Sequence, residues 1–131
     1  MKRVIVSIAL VAFAILAGSA LAEVHSNAHQ GVAKTVSGEV VDMGCYLGHA
    51  ARGEKHVSCG TKCVANGMPM GLLTADGTLY LVTLNHDDPD AYNALKKMVG
   101  KNATITGTVM TRNGVKGIDV TGAKVMAAAA R

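Results

Sequence analysis

The chain has 131 residues, three cysteines, five histidines, three tyrosines, no tryptophan and a formal charge of +4. That length suits one ordinary domain. So few aromatics and so little charge exclude the stacking platform and basic groove that single-stranded nucleic acid requires.

Much of the charge and hydropathy belongs to the first residues. Met1-Lys2-Arg3 is positive, Val4 to Ala17 is apolar, and Ala20-Leu21-Ala22 has the small-x-small form of a cleavage site. This order predicts a signal peptide over residues 1–22, cleaved after Ala22, and a periplasmic or secreted mature protein. The apolar run is shorter than the roughly 20 residues of a spanning helix. No cysteine at the cleavage site offers a lipid attachment point, so no stable membrane anchor is expected after cleavage. Removing residues 1–22 leaves 109 residues, a charge of +2, and Tyr46, Tyr80 and Tyr92 as the only aromatics.

Residues 23–34 are polar and aperiodic, and read as a flexible lead-in holding His25 and His29. Thr35 to Met43 carries Val36, Val40 and Val41 in a β-favouring context, with Gly38 marking a bulge. A Cys/His-rich insertion fills 44–68. Met70–Thr74 and Thr78–Leu84 flank Asp76-Gly77, a hairpin signal. Asp87-Asp88-Pro89-Asp90 starts a helix that Gly100 ends, with Ala91, Leu95, Met98 and Val99 at helical spacing. From Asn102 to Thr111, Ala103, Ile105, Gly107 and Val109 alternate with threonines. Asn113-Gly114 then turns the chain into a last strand from Val115 to Val120. Residues 127–131 read as a frayed tail.

The order strand, insertion, strand, strand, helix, strand, strand predicts a mainly β fold. It is that of a five-stranded OB-like Greek-key barrel over residues 35–126, with one helix between strands three and four.

The chemistry concentrates in the insertion, where the spacing is Cys45-x3-His49, then His56-x2-Cys59-x3-Cys63. Thiolates and imidazoles are the ligands that zinc and copper prefer, so Cys45, Cys59 and Cys63 with His56 or His49 make a candidate metal site. Cys59-x3-Cys63 followed by Met68 and Met70 adds soft donors suited to Cu(I). This spacing resembles the copper loop of cytochrome oxidase subunit II, but Gly67 stands where that loop has histidine, and the flanking strands do not read as a cupredoxin. Asp42, three residues before Cys45, is placed to orient a ligating histidine.

The competing reading is a disulfide between Cys45 and Cys59 or Cys63, or between Cys59 and Cys63, stapling a protein-interaction domain with no metal. Three is an odd number, and one thiol would be left over. A thiol-redox enzyme ranks third, because C-x-x-C is absent. Without C-x-x-C-H, no covalent c-type haem is expected. His86 with Asp87, Asp88 and Asp90 reads as an acidic helix start rather than a cation site.

Gly38–His49, Cys59–Leu73 and Val99–Gly107 resemble a group of small exported bacterial proteins with a Cys-rich insertion on an OB-like barrel. The resemblance carries no established activity. It implies that insertion and barrel form one unit. The sequence reading is therefore an exported binding module for zinc or copper rather than an enzyme, with the metal-free interaction domain as its alternative, room for an unknown protein partner and no nucleic acid. Its first test is intact-mass analysis of exported protein: the chain should start at Glu23, and retention of Met1 to Ala22 would reverse the assignment.

Overall fold

Alternation of β-branched and small residues drives the sheet. In Asn102–Arg112, Ala103, Ile105 and Gly107 are buried while Thr104, Thr106 and Thr108 lie on the opposite, more exposed face. On that outer face hydroxyls pair across strands, Thr35 Oγ1 with Thr106 Oγ1 at 3.2 Å and Ser37 Oγ with Thr104 Oγ1 at 2.9 Å. The computed structural model describes residues 31–126. The signal segment, His25, His29 and the 127–131 tail fall outside the described residues.

The strands are β1 (Val32–Asp42), β2 (Met70–Leu73), β3 (Leu79–Leu84), β4 (Asn102–Arg112) and β5 (Val115–Val125). Helices α1 (Met43–His49) and α2 (Val57–Ala65), with a 3-10 turn at Glu54–His56 between them, separate β1 from β2. Helix α3 (Asp90–Leu95) separates β3 from β4. The strands close into a barrel in the order β1-β2-β3-β5-β4. β1 serves two neighbours: Val32 to Glu39 pair with β4, and Glu39 to Asp42 pair with β2. Closure comes from the parallel pairing of β3 with β5. This is the five-stranded OB-like barrel expected, with its helix and its insertion in the expected connections.

Two turns follow their residues closely. Asn113 and Gly114 both take positive φ, 50° and 83°, as a type I′ hairpin requires. Gly77 takes φ 84° in the turn that Thr74 closes by donating its N–H to the Thr78 carbonyl at 2.9 Å.

Three boundaries differ from the sequence expectation by several residues, and the bulge lies elsewhere. β1 begins at Val32, so residues 32–34 belong to the strand and not to the lead-in; β4 is long enough to pair with them, as at Lys34↔Gly107. Pairing through Gly38↔Ala103 is unbroken, and the bulge lies instead opposite Thr106/Gly107. Gly38 is needed for close approach, since a Cβ there would come within 2.5 Å of the Leu73 carbonyl oxygen. β5 runs past Val120 to Val125 by absorbing that bulge. Helix α3 stops at Leu95, short of the expected Val99. Lys97 and Met98 donate to carbonyls three residues back, and Val99 bridges Val40, with Gly100 N–H on the Val40 carbonyl at 2.7 Å. Tertiary pairing overrides the helical spacing there.

The core comprises Val40, Met70, Leu72, Val82, Leu95, Val99, Ala103, Ile105, Ile118 and Val120 inside the barrel, joined by Val64 of α2. Among the described residues, no helix is long and apolar enough to cross a membrane. Because Leu72 and Ile105 are fully buried, Leu72→Ala and Ile105→Ala should each cost about 2–5 kcal/mol in denaturant unfolding. A loss below about 1 kcal/mol at both would contradict this core.

Candidate metal centre

The insertion starts where β1 runs out. Asp42, the last residue of β1, has 0% exposure and is the N-cap of α1, its Oδ1 accepting from the Cys45 N–H at 2.8 Å. Helix α1 ends at His49, where Ala50 turns left-handed at φ 55°. Glu39 of β1 accepts a hydrogen bond from Gly53 N–H, tying the returning loop to the barrel. Helix α2 then carries Cys59 and Cys63 one turn apart, the separation that places two side chains on one helical face.

Three thiols from the two helices converge. The Sγ atoms of Cys45, Cys59 and Cys63 all lie within 4.8 Å of one another, Cys59 exposed and the other two half-buried. Around a tetrahedral ion with metal–sulfur distances near 2.3 Å, sulfurs stand about 3.8 Å apart. Small side-chain adjustments therefore suffice to close the trio on an ion. All three cysteines are free, so none of the expected disulfide pairings is formed.

The histidines separate. His56 Nε2 meets Asp42 Oδ2 at 2.5 Å, and Asp42, Cys45 and His56 form a second group whose ligand atoms lie within 4.8 Å of one another. The expected role of Asp42, holding a histidine beside the cysteines, has this geometric counterpart. His49 is exposed at the end of α1 and belongs to neither group. Met70 is fully buried in the barrel core, which removes it from the soft donors expected for copper. Met68 packs against Gly44 at the edge of α1.

Burial works against a charge on Asp42, but the Cys45 amide, the His56 ring and the Cys45 thiol together hold its carboxyl below the usual carboxylate range. Burial and the Asp42 charge push the Cys45 thiol up to about 12. Cys63 is also raised, first by burial and then by its bond to Cys59. A thiol held protonated beside a carboxylate is a poor nucleophile, which weighs against thiol-redox catalysis. A cation such as zinc would reverse the situation, replacing the thiol protons with charge that thiolate and carboxylate both accept.

Residues outside the cluster fall into structural roles. Asn85 Oδ1 accepts the N–H groups of Asp87 and Asp88, and Asp88 Oδ1 accepts that of Asp90. These are the turn and helix-start bonds expected of an acidic N-terminus. A surface groove of about 330 Å³ bounded by Ser37, Glu39, Arg52, Thr74, Asn102 and Met126 holds none of the cysteines or histidines. No protein family, curated protein or solved structure matches this chain.

Sequence reasoning missed Gly60. It is buried in α2 against the barrel, and a Cβ there would stand 2.6 Å from Val99 Cγ1, 3.1 Å from His56 Cδ2 and 3.2 Å from Asp42 Oδ2. No local pattern marks it, because Val99 and Asp42 come from segments far away in sequence. Gly60→Ala should therefore destabilise the protein and displace the His56 ring. Gly48→Ala, with nothing within 4 Å of its Cβ, should be neutral or stabilising by up to about 1 kcal/mol. Thermal unfolding with NMR of the His56 ring checks the pair; equal effects would contradict the packing of α2. Because the folded pKa of Asp42 lies below its ordinary 3.8, its contribution is present above that pH and is lost as pH falls through the lower folded value.

Proposed function

We propose that this chain is an exported binding module that holds a transition metal ion, zinc or copper(I), through Cys45, Cys59 and Cys63. The observation that carries the reading is the convergence of three sulfurs from two helices that have little else to pack. Helix α1 buries none of its residues, and α2 buries only Gly60 and Val64. Such an insertion gains little from the hydrophobic effect. A metal that binds the folded arrangement and not the unfolded one supplies the missing stabilisation.

Three thiolates suit a trigonal copper(I) ion or a tetrahedral zinc ion whose fourth position takes water, or His56 after a small movement. Because Cys59 is exposed, the ion sits at the surface, where a partner protein can reach it. The reading assigns the module no catalytic step.

Purified from the periplasm without added metal, the protein should carry zinc or copper. Cys59→Ser should lower its copper(I) affinity at least about 10–100-fold, the loss seen even when outer-shell partners are removed, and should leave the barrel folded. Thiol titration of unreduced, metal-free protein should find three thiols per chain. One thiol per chain would establish the disulfide-stapled interaction domain instead.

A further inference from the structure

The two groups of ligand atoms share one residue. Cys45 lies within 4.8 Å of Cys59 and Cys63 on one side, and within 4.8 Å of Asp42 and His56 on the other. We propose that the insertion binds two divalent ions side by side, bridged by the Cys45 thiolate. Cys59 and Cys63 complete the ligands of the outer ion, and Asp42 and His56 those of the inner one. The inference rests on the sulfur site described above and extends it.

Ligand type fits each place. The outer set is all sulfur and partly exposed. The inner set combines carboxylate, imidazole and thiolate, a mixture that zinc accepts and copper(I) does not favour. A thiolate has the lone pairs to serve two ions at once, and Cys45 is the residue positioned for it, between the end of β1 and α2. Its place in the first turn of α1 is fixed by the hydrogen bond of its N–H to Asp42.

Charge fits as well. Three thiolates and one carboxylate together carry four negative charges, which two divalent ions neutralise. A single zinc ion leaves two negative charges in the cluster, one of them on Asp42, which is 0% exposed. Uncompensated charge at such a position is costly, and His56 alone answers it only when protonated. The inner ion would take over the contact that Asp42 and His56 now make with each other. Gly60 lies against both side chains, where a Cβ would stand 3.1 Å from His56 Cδ2 and 3.2 Å from Asp42 Oδ2.

The test is a zinc titration of reduced, metal-free protein, with the bound ions counted by native mass spectrometry. The wild-type chain should bind two zinc ions. Asp42→Asn should bind one; asparagine caps a helix as well as aspartate does, so α1 keeps its start while the charge is lost. Far-ultraviolet circular dichroism verifies that this variant is folded. Cys59→Ser, at an exposed position that leaves the fold untouched, should also bind one. A wild-type count of one, together with a copper(I) or zinc site that depends on Cys59, would overturn the two-ion centre and leave the sulfur site standing. A count of two unchanged in Asp42→Asn would overturn it also. No binding of either metal would remove both readings.

Discussion

The buried carboxylate of Asp42 is the contact on which the rest of the cluster depends. It terminates β1 in the barrel, caps α1 through the Cys45 amide, and holds His56 across the insertion. One side chain thus fixes the start of α1 and the approach to α2. With no exposure of its own, it needs both partners, because an unsatisfied buried carboxylate would be far more costly than either bond is worth. The cysteines inherit their positions from it. Cys45 is set directly, and Cys59 and Cys63 follow because Gly60 lets α2 lie against Val99 and the Asp42–His56 pair.

This arrangement explains how a domain with few aromatics carries a 25-residue insertion (residues 44–68). The barrel has a complete aliphatic core of its own, and the insertion adds only Val64 to it. What remains to order α1 and α2 is a cap, the Asp42–His56 hydrogen bond, a glycine contact and three thiols. A segment with so little apolar burial belongs to the low-stability end of the molecule, and an ion bound there would raise it toward the stability of the barrel.

The barrel was legible in the sequence because its signals are local. Alternation in β4, Asp76-Gly77 and Asn113-Gly114 each act within a few residues, and a period of two leaves little room for error. Where long-range contacts decide, the reading failed. Val99 has helical spacing from Leu95, but the chain places it beside Val40, and α3 ends early. At the site, the cysteines were legible by type and number. The choice between His49 and His56 was not, because it depends on a carboxylate fourteen residues away from His56. Gly60 was invisible for the same reason. Its tightest constraint comes from Val99, and another from Asp42, both far from it in sequence.

The central claim is that the three cysteines act together on a metal ion. X-ray absorption at the metal edge, on protein loaded with one equivalent of zinc, tests it most directly. The account predicts a shell of three sulfur scatterers at about 2.3 Å, reduced to two in Cys59→Ser. A first shell of only oxygen and nitrogen, or a sulfur count unaffected by Cys59→Ser, would contradict it.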